Sequence, residues 1–406
     1  MRAACEKRLP AALEFLRGMV GINSFTANAA GVNAVGHLIA ETFAPLGFLP
    51  TVIPAARPGC GDHLFLSSDA GQDPAHLPTI ALISHLDTVF PADEERRNRF
   101  QWMRHGDRIY GPGTNDIKGG TALIYLMLAA MREAAPDLYA AAHWVIALNA
   151  CEEVDSVDFG DVCERMLPKQ TMACLLFEAD GGPRTAPALV AARKGRATFS
   201  IRVEGLGAHA GGQHEHGANA IVQLARIVDT AAALTDYAAG VTVNVGTILG
   251  GTVNNRVPHE ATATLEMRAH DPAAFSRTKS AILALGGEGT VRNTTGFPCR
   301  IRISLDDETP PWPANPATER LLAVWQDAGR DIGIPIARQE RGGLSDGNVL
   351  WSRFPTLDGL GPSGEHSHCS ERSEDGSKVP EWVDAASFVP KAVLNTVAIA
   401  RLLAEG

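Results

Sequence analysis

Apolar positions in this chain fall into three patterns, and their order sets the expected fold. Over residues 9–19 and 32–44 they recur at helical spacing, which predicts two opening helices. Short strand patterns follow at 49–54 and 63–67. Three later runs, at 79–85 (TIALISH), 143–150 (HWVIALNA) and 172–177 (MACLLF), are almost unbroken apolar stretches of strand length. Such runs suit strands buried on both faces, as in a parallel sheet covered by helices. Each run ends in groups able to do chemistry: His85 with Asp87, Glu152 with Glu153 after Cys151, and Glu178. Open α/β sheets place their ligands at the carboxyl ends of their strands, so these groups are expected on one edge.

Between the runs, 91–99 (PADEERRNR) is a mixed-charge stretch and is expected to be a solvated loop. Residues 110–120 (YGPGTNDIKGG) form a glycine-rich turn leading into a helix over 121–134. A nucleotide-binding reading of this turn fails. A P-loop needs Ser or Thr after its lysine, whereas Lys118 precedes two glycines, and Asp116 occupies the third glycine position of GxGxxG.

Beyond Arg193 and Lys194, which read as hinge charges or substrate contacts, the pattern changes. Residues 197–204 alternate with period two, followed by a helix at 218–237, strands at 241–249 and 261–268, a helix at 272–285 and a strand at 299–305. This βαββαβ order is the ferredoxin-like split unit. The Pro/Thr-rich segment 308–317 reads as the return linker. A helix near 318–333, a turn-rich stretch 341–348, a strand at 355–357, the loop 361–371 and a helix at 389–405 complete the chain. The expected fold class is α/β: a mixed, mostly parallel sheet with helices on both faces over 1–193 and 308–406, interrupted by an α+β domain over 194–307.

Composition narrows the partners. A chain of 406 residues suits two domains, and 36 basic against 46 acidic side chains give a net charge of −10. That balance argues against nucleic acid or an anionic membrane as the main partner. The seven cysteines are scattered without a CxxC pair, as reduced thiols in a cytoplasm would be. Charges at Glu6, Lys7, Arg8, Glu14 and Arg17 break up any signal-peptide core, and no apolar run approaches the ~20 residues of a membrane span.

His85, Asp116, Glu153, Glu178 and a C-terminal histidine, His366 or His368, make a nitrogen and oxygen donor set without thiolate. Such a set suits zinc or another divalent metal. Five donors exceed what one tetrahedral ion takes, so two ions sharing a carboxylate are expected, with Glu152 left over as a general base. His214 and His216 in QHEHG read as a polar turn, and Cys369 as a bystander thiol. Arg341 and Asp346 fit substrate contact or turn chemistry equally well.

HLDTV at His85, GPGTNDIKGG at Asp116, the Glu152-Glu153 pair, FEAD at Glu178, GAHAG at His209 and HCSE at His368 together resemble the M20 metallopeptidases, particularly the carboxypeptidase G2-like branch. The resemblance runs the length of the chain. It implies the zinc exopeptidase fold with an inserted dimerisation domain, and two zinc ions per subunit, with cobalt or manganese as substitutes. His85 and Glu178 would hold one ion, Glu153 and His368 the other, and Asp116 would bridge them. It further implies that Asp87 orients His85 and that Glu152 passes a proton from the attacking water to the leaving amine. His209 would stabilise the oxyanion in a partner subunit, and Asn255 and Arg268 would grip substrate. The spacing around HCSE matches the family better at His368 than at His366. Two departures stand out: Cys151 where relatives commonly carry Asp, and an insertion at 370–380 before Glu381-Trp382-Val383.

The function expected from this resemblance is a dinuclear zinc carboxypeptidase acting on a small peptide or N-acyl amino acid. An N-acyl-amino-acid deacylase or a di/tripeptide aminopeptidase on the same fold is the alternative, and a catalytically silent binding protein is a more remote one. A silent relative should have lost the base or a ligand, and every candidate is present.

Overall fold

The computed structural model describes residues 1–68, 77–180 and 187–405, which divide into two compact units. The first comprises Met1–Ala191, Ala314–Glu340 and Ser345–Gly406; the second comprises Ala192–Pro313 and Arg341–Leu344.

The first unit is built on a six-stranded sheet, ordered Phe48–Pro54, Asp62–Ser68, His143–Asn149, Thr79–His85, Ala173–Leu176, Thr356–Leu357. The first two strands are an antiparallel hairpin joined antiparallel to His143–Asn149, and the remaining pairings are parallel. Every residue of Thr79–His85 and of His143–Asn149 is buried, and successive side chains enter different cores. Ile80, Leu82, Trp144, Ile146 and Leu148 pack with the helices Arg2–Val20, Lys118–Ala134, Pro316–Asp331 and Phe388–Glu405. Ala81, Ile83, Val145 and Ala147 pack instead with Phe159 and Val162 of Val157–Met166 and with Leu350 of Gly347–Leu350. Helices on both faces remove the polar alternation a one-sided sheet would show, which is why these runs are continuously apolar. The segment Ala385–Glu405 is long and apolar enough to cross a membrane, yet 67% of its most apolar window is buried inside the protein.

Two features of this unit differ from expectation. The charged run is a short helix, Ala92–Asn98, rather than a loop, with Asp93, Glu94 and Glu95 in its first turn and Arg96 and Arg97 in its last. That order sets each charge against the helix dipole, a local stabilisation that apolar periodicity does not report. The helix after the glycine-rich turn begins at Lys118 and includes Gly119 and Gly120. A Cβ on Gly119 would stand 2.3 Å from the Thr114 carbonyl oxygen, and one on Gly120 would stand 2.1 Å from that of Phe177. The glycines therefore let the helix start against the strand end that leads to Glu178.

The second unit is a five-stranded antiparallel sheet, ordered Thr242–Gly250, Glu260–Ala269, Gly195–Glu204, Pro298–Thr309, Gly287–Arg292. Buried and partly exposed residues alternate along Gly195–Glu204. The buried set packs against Leu224 and Ile227 of helix Ala220–Ala232 and Phe275 and Ile282 of helix Pro272–Leu283. This is the ferredoxin-like arrangement with one further edge strand, Gly287–Arg292, which is too exposed to leave an apolar signature. The last long strand runs on to Thr309, so the start of the expected linker is still sheet. The helix expected over 218–237 is the shorter Ala220–Ala232, its start set by Asn219, which accepts from the Ile221 and Val222 amides.

Candidate metal centre

Parallel pairing brings the chemical groups of the first unit level with one another. His85 lies opposite Asn149, and the Phe177 amide donates to the Ile83 carbonyl, so the segments carrying His85, Glu152-Glu153 and Glu178 leave the sheet at one edge. The loop after Gly113 brings in Asp116, whose peptide bond to Ile117 is cis, and the 361–371 loop brings in His368.

Asp116 lies between two groups of side chains. Its Oδ1 is 3.0 Å from His85 Nε2, which is also 3.9 Å from Glu178 Oε1. Its Oδ2 is 3.3 Å from His368 Nε2, which in turn is 3.2 Å from Glu153 Oε2. Donor atoms of His85, Asp116 and Glu153 all lie within 4.8 Å of one another. His366, by contrast, stands 3.8 Å from its neighbour Glu365. Both histidines of this loop have positive φ, 64° and 67°.

The supporting contacts come from several segments. Asp87 accepts from the Thr26 hydroxyl at 2.7 Å and from the Glu152 and Glu153 amides at 3.1 and 3.3 Å. Its backbone carbonyl oxygen stands 3.0 Å from His85 Nδ1, so one residue orients both the histidine and the acidic turn. Asn149 Oδ1 accepts from the Cys151 amide at 3.0 Å, while its Nδ2 donates to Asp346 at 2.7 Å. His63 Nδ1 accepts from the Ala150 amide at 3.1 Å, and its Nε2 lies 3.2 Å from Asp158. Glu381 accepts from the Asn115 and Asp116 amides at 2.8 and 3.1 Å. Sequence reasoning gave Asn149, His63 and Glu381 no role in the centre and left Asp346 undecided. The one available signal was a polar residue ending an apolar run, as Asn149 does.

The electrostatics show a surplus of negative charge. Burial, reinforced by Asp346, Glu153 and Glu178 against the opposing charge of His85, pushes Glu152 well above the usual carboxylate range. Burial and the charge of Asp116 raise Glu153 to about 7; burial lifts Asp346 to about 7 and, with Asp116, Glu381 to about 8. Burial would lower His85, but hydrogen bonds to Asp116 and Asp87 carry it well above its ordinary value. Hydrogen bonds to Asp116 and Glu153 raise His368 to about 11. Burial opposes the ionisation of Asp116, yet the two imidazoles hold it below the carboxylate range. Carboxylates crowded around two imidazoles need positive charge from elsewhere, and Glu153 Oε1 is buried without a hydrogen-bond partner among the described residues. The donors are imidazole and carboxylate only, which fits a divalent ion of the zinc class.

In the second unit, His209 Nδ1 accepts from the Gly211 and Gly212 amides, both at 3.1 Å. Two donors on Nδ1 fix the neutral tautomer with its proton on Nε2, an exposed hydrogen-bond donor. The Ala210 amide donates to the Asn255 carbonyl at 3.0 Å, so His209 and Asn255 lie on adjoining segments. The Arg268 guanidinium is engaged by Glu266 at 2.7 and 3.2 Å and by the Gly342 carbonyl at 2.8 Å. Arg193 donates to the Gly343 and Leu344 carbonyls at 3.0 and 2.9 Å, holding the 341–344 segment. His214 and His216 form an exposed single turn. The 370–380 insertion anchors Ser370 on Asn98 and sets Arg372 over the Tyr110 ring at 4.6 Å. Within the first unit, this insertion and residues 98–103 line an open cleft of about 440 Å³, with Trp102, Tyr110 and Arg372 among its walls.

Comparison with known proteins follows the same outline. Residues 191–288 match the M20 family's peptidase dimerisation domain. Carboxypeptidase G2 of Pseudomonas sp. (strain RS-16) is 26% identical over 379 residues, covering 91% of this chain and 86% of that protein. Acetylornithine deacetylase of Pectobacterium carotovorum subsp. carotovorum is 27% identical over 266 residues, covering 61% of this chain and 65% of that protein. The crystal structure of a Staphylococcus aureus tripeptidase shares the fold, with a TM-score of 0.76, 20% identity and coverage of 98% of this chain and 99% of that one.

Proposed function

Because the chain belongs to the M20 peptidase family and is a hydrolytic enzyme, we propose that it cleaves an amide bond next to a free carboxylate, as a carboxypeptidase releasing a C-terminal amino acid. The observation that carries this reading is Asp116, which offers one carboxylate oxygen to each of two imidazole–carboxylate groups, with Glu152 buried beside them. His85 and Glu178 would hold one divalent ion, Glu153 and His368 a second, and Asp116 both; zinc suits this set, with cobalt or manganese as substitutes. When bound, such ions polarise the scissile carbonyl and raise the acidity of water.

The remaining work falls to the protein. Glu152 is free of the two ligand groups and buried beside them, a placement that suits it to take a proton from the attacking water and return it to the leaving amine. Asp87 and Asn149 hold the backbone on either side of that carboxylate. The Nε2–H of His209 is the donor assigned to the tetrahedral oxyanion of a partner subunit, which makes a homodimer the working form. The matched dimerisation domain supports that assembly, as do Ile248 and Leu249, 55% and 69% exposed on the edge strand Thr242–Gly250. Asn255 and Arg268 are assigned to the substrate, the arginine to its carboxylate in exchange for Glu266. Seven cysteines without disulfides support a cytoplasmic location.

An N-acyl-amino-acid deacylase is the second reading, favoured by the likeness to acetylornithine deacetylase. N-acyl-glutamates, other N-acyl amino acids and free di- and tripeptides separate the possibilities; turnover confined to substrates with a free amine would sink the carboxypeptidase reading. Metal analysis after zinc loading should find two ions per chain. Glu152→Gln should keep them while losing about 10²- to 10⁴-fold in kcat. Full activity in that variant would remove Glu152 from the base role.

A further inference from the structure

The acidic turn carries a cysteine that the proposed chemistry does not use. Cys151 is fully buried, its amide held by Asn149 and its thiol donating to the Asp155 carbonyl at 3.5 Å. The Val154 and Asp155 amides close the turn on the Cys151 carbonyl, with Glu152 and Glu153 inside it.

A second cysteine meets it from the neighbouring strand. Asp62–Ser68 pairs antiparallel with His143–Asn149 in the register Leu64 to Leu148, and continuing that register brings residues 60–61 opposite 151–152. The His63 contact to the Ala150 amide pins the same stretch, and the Cys60 and Cys151 thiols lie close enough to perturb each other's ionisation. Cys60 is partly exposed in a short loop tied down at Ala56 by Asp158 and at Asp62 by Asn33. Burial raises the Cys60 thiol above its ordinary value, with the Cys151 thiol and Arg57 opposing that shift, and burial pushes the Cys151 thiol further up. Cys163 and Cys174 are also neighbours, but both are fully buried in the core beneath Val157–Met166.

We propose that Cys60 and Cys151 are an oxidation site, a thiol pair that a peroxide closes to a disulfide beside the Glu152–Glu153 turn. The Cys60 thiolate attacks the peroxide O–O bond, giving a sulfenic acid and hydroxide, which takes up a proton to leave as water. The Cys151 sulfur then attacks the Cys60 sulfur, forming the S–S bond and expelling the sulfenic oxygen as a second water. The two sulfurs lose two electrons and the peroxide gains them. A dithiol reverses the step by exchange. Closure draws the Cys151 sulfur from the Asp155 carbonyl toward the loop, which displaces the backbone that presents Glu152. This last consequence, unlike the cross-link itself, rests on the proposed hydrolase function.

The test uses the zinc-loaded full-length protein treated with hydrogen peroxide. The expected result is a loss of two hydrogens in the intact mass, a peptide joining Cys60 to Cys151, and at least a tenfold fall in turnover, all restored by dithiothreitol. Cys60→Ser should keep the untreated protein's metal content and turnover, form no such peptide and resist the reversible loss; Cys369→Ser should behave like the parent. Absence of the Cys60–Cys151 peptide in the parent would overturn the pairing. Equal reversible inactivation in Cys60→Ser, or a complete cross-link with unchanged turnover, would overturn the proposed consequence. If no amide substrate is turned over even before oxidation, the hydrolase reading fails, and the mass and peptide measurements still decide the pairing.

Discussion

Asp116 faces two imidazoles with a single carboxylate, and the surrounding acids make that arrangement dependent on pH. Glu153, Asp346 and Glu381 have folded-state proton affinities raised to about 7, 7 and 8, above those of an unfolded chain. In the metal-free protein the folded state therefore binds more protons than the unfolded state between the ordinary carboxylate range and about pH 8. The stability these groups confer is full below that range and is lost as pH rises through it. His85 and His368 are also raised, so their contributions too are present below the ordinary histidine value and fade at higher pH. Asp116, shifted downward, acts oppositely, but its contribution is already complete above the carboxylate range and leaves the slope unchanged. Divalent ions held by the proposed ligands would supply the missing positive charge, so metal should matter most at alkaline pH. Thermal melts with and without a chelator should show the metal-free Tm falling from pH 5.5 to pH 8 and its distance from the metal-loaded Tm widening. A gap constant across that range would mean that the carboxylates are not what the ions compensate.

At the scale of elements, the centre depends on how closely helix Lys118–Ala134 approaches the end of strand Ala173–Leu176. Gly120 has no room for a side chain, since a Cβ would stand 2.1 Å from the Phe177 carbonyl oxygen. Gly120→Ala must therefore displace helix or strand, and overpacking of this kind costs about 1–3 kcal/mol, occasionally more. Urea unfolding should register that loss together with weaker metal retention, because Asp116 precedes this helix and Glu178 follows the strand. An unchanged midpoint would show that the helix start can yield without cost. Most of this architecture is legible in the sequence, because continuous apolar runs mark doubly covered strands and their ends carry His85, Glu152, Glu153 and Glu178. Helix Ala92–Asn98 and strand Gly287–Arg292 are not, since charge order and edge pairing hold them rather than an apolar face. The same limit applies to His63, Asn149, Asp346 and Glu381. Their roles arise from through-space contacts such as Glu381 reaching the Asp116 amide, across 265 positions of chain that no local pattern connects.

For the whole molecule, the proposed dimer turns on the free edge of the second unit's sheet. Among the described residues, strand Thr242–Gly250 has a neighbour on one side only, and its outer half is exposed. Nearby, Ile221 and Val222 of helix Ala220–Ala232 are 38% and 43% exposed. An unpaired strand edge with apolar side chains invites a second chain, and lysine at such an edge is a common way of blocking it. Leu249→Lys should therefore convert the dimer to a monomer in sedimentation velocity. Its melting behaviour should barely change, because an exposed side chain leaves the unit's own core untouched. If His209 serves the partner's centre, the monomer should keep the parent's metal content yet lose turnover, and the loss should appear in kcat more than in KM, since an oxyanion donor acts on the transition state. A parent protein that already sediments as an active monomer would remove both the interface and the role assigned to His209. A monomeric variant with full turnover would leave the interface standing and return the oxyanion contact to groups of the same chain.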